Sequence, residues 1–160
     1  MTSDSATRIL ARIEQEWRAF HDLAERLGPV RLEGRTPAGW TAKEMLGTIA
    51  FWDEAAVGWI TLGIRQGQLP EGWTFGSGFD HSQGWPAADV HNAREAEWAR
   101  GKTVDEVLQR CDDAHRQLLA IIATVTDEEA VKNPDYFPRL GGHYRDHLPE
   151  LEALAGEAGT

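Results

Sequence analysis

Two of the chain's six histidines, His143 and His147, stand four residues apart in the stretch Gly141-Gly142-His143-Tyr144-Arg145-Asp146-His147-Leu148-Pro149-Glu150-Leu151. Residues four apart on a helix share a face, so both imidazoles would project the same way, with ring nitrogens able to meet one metal ion. Leu140, Leu151 and Leu154 continue that stripe at steps of three, four, four and three, which predicts that the pair faces an interior. A buried imidazole needs a partner. Two readings therefore stand side by side: half of a metal site, or two histidines satisfied by hydrogen bonds inside a helical core. Pro149 bears on both, because it lacks an N–H and its ring clashes with the carbonyl four residues back. Either the turn holding His147 is kinked, or the helix starts late enough to place Pro149 in its first turn.

Other polar residues interrupt apolar patterns. Asp53 flanks the stripe Met45, Ile49, Trp52, Ala56, Ile60; a carboxylate there needs a cation, a metal or hydrogen-bond donors, unless it sits on a solvated rim. His115 occupies an apolar position within Val104, Leu108, Cys111, His115, Leu118, Ile122 and Val125. It either faces the same interior as His143 and His147 or is held structurally by a polar neighbour. Cys111 on that stripe reads as a small buried hydrophobe, with no basic sequence neighbour to activate it. His21, beside Phe20, reads as structural.

The elements that must position these groups are helical. Ile9, Ile13, Trp17, Phe20, Ala24 and Leu27 mark a first amphipathic helix over about 5–27, stopped by Gly28-Pro29. Residues 30–40 read as an irregular loop. Thr41-Ala42-Lys43-Glu44 is a capping box opening a second helix through about residue 64. Residues 67–86 hold five glycines, two prolines and Trp73, Phe75, Phe79 and Trp85, and read as a long loop that either covers a ligand or plugs onto the helices. His81 lies in it. A third helix over 87–100, with Val90, Ala93 and Trp98 as its larger apolar members, is broken at Gly101. Capping boxes at Thr103-Val104-Asp105-Glu106 and Thr126-Asp127-Glu128-Glu129 open two more. No alternating strand pattern or internal repeat occurs, so the expected fold is all-α, an antiparallel four-helix bundle with a long Gly/aromatic loop between helices 2 and 3, forming one domain over 1–160.

A net charge of −10 and a pI near 5.0 oppose binding to nucleic acid or anionic lipid. One cysteine excludes an internal disulfide framework and suits a reducing, cytoplasmic compartment. No apolar run approaches the ~20 residues a spanning helix needs, so a soluble protein is expected. Seven tryptophans, at 17, 40, 52, 59, 73, 85 and 98, suit a lined pocket as well as a core.

The segment Gly39-Trp40-Thr41-Ala42-Lys43-Glu44-Met45-Leu46 is similar to the Trp-led start of the second helix in the DinB-like (DinB/YfiT) superfamily, and His143-x-x-x-His147 to that family's last helix. The stretch from Val90-His91-Asn92 through Thr126-Asp127-Glu128-Glu129 resembles its third helix and the segment after it. Within the superfamily the likeness is to the thiol-transferase, maleylpyruvate isomerase and ClbS/DfsB self-protection groups. The resemblance implies a four-helix bundle, a homodimer, and a zinc or nickel site of three histidines: one eight residues after the tryptophan, two on the last helix. Here the first position is Thr48, whose hydroxyl is a poor donor for such ions. A third ligand would have to come from His81, His91, His115, Asp53 or Glu44.

Three functions are expected from these readings. One is a metal-dependent hydrolase or thiol transferase using His143 and His147. The second is a pocket protein without the complete triad, lined by Thr48, Trp52, Asp53, Trp59 and His115 with the two histidines, that protects against or transforms a reactive small molecule. The third is a non-catalytic dimeric bundle.

Overall fold

Three helix starts written in the sequence as capping boxes all form: Thr41, Thr103 and Thr126 each accept from the backbone N–H three residues on, and Glu44, Glu106 and Glu129 each reach back. The computed structural model describes residues 1–74 and 86–158, with side chains through Gly156. Phe75, Phe79, His81 and Trp85, expected in the long loop, lie outside the described residues.

The element order is α1 (Asp4–Leu32), α2 (Ala42–Gly58) passing directly into a π turn (Trp59–Ile64), α3 (Ala88–Arg100), α4 (Val104–Ile122), α5 (Asp127–Lys132), a 3-10 turn (Phe137–Arg139) and α6 (His143–Ala158). The fold is all-α. Among the described residues the β structure is an isolated bridge between Arg35 and Thr41, and no helix is long and apolar enough to cross a membrane.

The core forms where α1, α2, α4 and α6 meet, with α3 packed on α2. Every residue of α2 from Ala42 to Phe51 is buried, so this helix lies inside the protein on all sides. Its approach to α3 depends on Gly47: a Cβ there would sit 3.0 Å from the Ala99 Cβ and 3.1 Å from the Glu95 carbonyl. Asp53, expected on the edge of a stripe, is therefore fully interior at 1% exposure. A single-stripe reading presumes a solvent-facing side, and the first turns of α2 have none.

Other differences have similar causes. The chain leaves helical geometry at Gly28 (φ 77°), as Gly-Pro predicts, but Pro29 opens one further helical turn to Leu32. In α3 it is His91, Glu95, Ala96 and Ala99 that are buried, while Val90 is 57% exposed. Glu95 is admitted to the interior by Arg110, which donates to it at 2.8 Å, holds Glu54 at 2.6 Å, and lies over the Trp98 ring at 4.4 Å. The buried stripe that runs from Leu140, just before α6, through Tyr144, Leu151 and Leu154 is flanked by His143 and His147. Pro149 is the seventh residue of α6, beyond its first turn, and the helix continues past it. The Arg145 carbonyl loses its intrahelical donor there, on an exposed face where water can serve.

Candidate functional site

Three helices bring polar groups to one interior point, Asp53 from α2, His115 from α4, and His143 and Tyr144 from α6, and a fourth, α1, sets the Trp17 ring against them. Asp53 is a carboxylate inside an apolar core, and its two oxygens meet different partners. Tyr144 donates its hydroxyl to Asp53 Oδ2. Oδ1 lies 2.9 Å from His143 Nε2. That contact is close but off-line, so neither atom has an aligned hydrogen bond. Nε2 is sealed from solvent while the His143 side chain as a whole is 17% exposed, so the part of the ring that reaches solvent lies away from Asp53.

The donor order is set by the single proton on the phenol. Since Tyr144 gives it to the acceptor-only carboxylate, the phenol oxygen accepts from His115 Nδ1 at 3.0 Å. His115 is then the Nδ1–H tautomer with a bare Nε2. Trp17 stacks on the His115 ring at 4.1 Å and meets Tyr144 edge-on at 5.1 Å, fixing both planes. Burial pushes His115 down to about 4, against which the Asp53 charge acts only partly; it is neutral at pH 7. Burial, then the adjacent carboxylate, holds the Tyr144 phenol well above its ordinary range. Cys111 donates to the Leu46 carbonyl at 3.2 Å, and burial raises its thiol far beyond reactivity at neutral pH.

Of the residues singled out in the sequence, Asp53, His115 and His143 come together, while four others face elsewhere. Thr48 returns its hydroxyl to the Met45 carbonyl at 2.7 Å. Trp52 donates to Asn92 Oδ1 on α3 at 2.8 Å. Trp59 stacks on Trp73 at 5.9 Å, its ring lying where a side chain at Gly63 would be. His147 is 34% exposed and pairs with Glu150 at 3.2 Å on its own helix. The i, i+4 relation is thus present, but the two imidazoles have separate partners.

Tyr144 and Trp17 were missed as site residues. Both carried a signal: Tyr144 falls four after Leu140 and seven before Leu151, and Trp17 sits on the α1 stripe. Each reads as apolar filler until its partner is known.

The sequence pattern of the DinB superfamily matches residues 12–151, most of the chain, with Trp17, Asp53, His115, His143 and Tyr144 all inside the match. The chain belongs to the DinB superfamily. No curated protein and no solved structure matches it. The three-histidine metal site expected by resemblance to DinB-like proteins does not fit the residues present. The Thr48 hydroxyl is committed to the backbone, His147 to Glu150, and no group of three His, Cys, Asp or Glu among the described residues is placed to hold an ion. What this DinB-superfamily chain presents in its place is a buried Asp–His pair anchored by a tyrosine.

Proposed function

We propose that the chain binds and transforms a small reactive molecule at the Asp53–His143 pair, without the family's histidine triad. The observation that carries this reading is the 2.9 Å approach of a fully buried carboxylate to a half-buried imidazole. Asp53 is anchored by Tyr144, and through it by His115 and Trp17, so its free oxygen sits at a fixed place. It favours a proton on His143 Nε2, which leaves Nδ1 as the nitrogen for chemistry. That nitrogen takes a proton from a nucleophile, water or a small thiol, as the nucleophile attacks an electrophilic carbon of the ligand; the carboxylate stabilises the imidazolium that forms, which returns the proton to the ligand oxygen whose bond to that carbon breaks. Off-line contacts of this kind tighten when a ligand fills a site.

The test is turnover of a panel of electrophiles, epoxides and activated esters among them, with and without a low-molecular-weight thiol. His143→Gln and Asp53→Asn should each reduce turnover by about 100-fold or more, and the double variant should be no worse than either single one, because the two side chains act as a unit. Full activity in either single variant, or multiplicative losses in the double, overturns the assignment. Loss of activity on chelation that added zinc or nickel restores would return the metal-dependent reading.

A further inference from the structure

Trp40 carries the family likeness, yet it takes no part in the Asp53 site. Its indole is half-buried and has neither a ring partner nor a hydrogen bond among the described residues. It lines a cleft of about 550 Å3 together with Arg35, Ala38, Gly39, Glu44 and Arg100, within the ~300–1,000 Å3 range of small-ligand sites.

The cleft is built on a cross-bonded turn. Thr36 N–H donates to the Trp40 carbonyl at 2.7 Å, its hydroxyl donates to the same oxygen at 3.0 Å, and Gly39 N–H donates back to Thr36 at 2.9 Å. Arg35 Nη1 donates to the Gly39 carbonyl at 2.7 Å, and among the described residues its Nε and Nη2 have no hydrogen-bond partner. Arg100 Nε donates to Glu44 Oε1 at 2.7 Å, and among the described residues neither of its Nη groups has a hydrogen-bond partner. Glu44 does not neutralise the cleft: Oε1 serves Arg100, Oε2 accepts from Thr41 N–H at 2.9 Å, and two guanidiniums face one carboxylate. On a chain of net charge −10, a cleft lined by two arginines, one glutamate and an indole is a local reversal of sign.

We propose that this cleft is a second binding site, for a small planar anion whose carboxylate or phosphate lies between Arg35 and Arg100 and whose ring lies against Trp40. Guanidiniums match both anionic groups through paired donors, and the indole supplies the apolar face. The overall negative charge opposes a nucleic-acid polymer as the occupant.

The experiment is an NMR titration of the full chain, labelled at indole nitrogen, with sodium benzoate, phenyl phosphate, inorganic phosphate and neutral benzyl alcohol. The Trp40 Nε1–H signal, assigned by its loss in Trp40→Phe, should move saturably with benzoate or phenyl phosphate below about 10 mM. Arg35→Gln and Arg100→Gln should each weaken that binding roughly tenfold, and Asp53→Asn should leave it unchanged, which separates this site from the other. The stronger of the two aromatic anions identifies the anionic group. No saturable shift, equal binding of benzyl alcohol, or equal binding of bare phosphate overturns the proposal; the ligand comparisons use the unaltered chain and stand even if a variant fails to fold.

Discussion

Tyr144 is the residue on which the site's geometry depends. Its hydroxyl ties Asp53 to His115, so Tyr144→Phe leaves a buried carboxylate oxygen and an imidazole donor without their partner. The expected loss is about 2–4 kcal/mol in denaturant-melt stability, since a buried charged group loses its hydrogen bond. Asp53→Asn combined with Tyr144→Phe should lose less than the sum. His115 gives a pH signature. Its folded value of about 4 lies below the ordinary 6.5, so the unfolded chain binds the extra proton first. Stability should fall as pH drops from about 6.5 towards about 4 and level off below, by about 3 kcal/mol in all. His115→Leu should flatten that part of the stability-against-pH curve; an unchanged slope would place its origin elsewhere. Asp53, His115 and His143 were legible as polar residues interrupting apolar spacing. Which of them meet was not, because that depends on how four helices rotate against one another, and Tyr144 hid as an aromatic in an apolar register.

At the scale of elements, α2 controls what the others can do. Gly47 sets its separation from α3, so Gly47→Ala should force the Ala99 side chain and the Glu95 backbone apart and lower stability by about 1–3 kcal/mol. Gly156 in α6 has no described atom within 4 Å of where a Cβ would stand; there the same substitution should raise stability by up to about 1 kcal/mol through helix propensity. Thermal melts of the two variants moving in the same direction would contradict this packing. Helix starts were readable because a capping box is local chemistry within four residues. The stripe Met45, Ile49, Ala56 and Ile60 was readable and is buried, but the burial of the other sides of the first turns of α2 was not, and in α3 Glu95 enters the interior only because Arg110, fifteen residues on, compensates it. The π turn at Trp59–Ile64, which admits the Trp59 ring over Gly63, likewise has no short-range sequence signature.

Over the whole molecule, α1, α2, α4 and α6 each contribute to one polar cluster inside a shared core, so the site exists only when all four are packed. The all-α class and the DinB likeness were legible from helical periodicity and two short motifs. The identity of the site was not, because the motif histidines imply a triad, and only the packed structure directs His143 to Asp53 and His147 to Glu150. The central claim is that Asp53 fixes His143 with its proton on Nε2 and Nδ1 bare. Long-range proton–nitrogen correlation spectra of the histidine-labelled chain at neutral pH report this directly. The neutral form of His143 should be the Nε2–H tautomer in the unaltered protein and a mixture in Asp53→Asn; an Nδ1–H tautomer, or a state indifferent to Asp53, would contradict it.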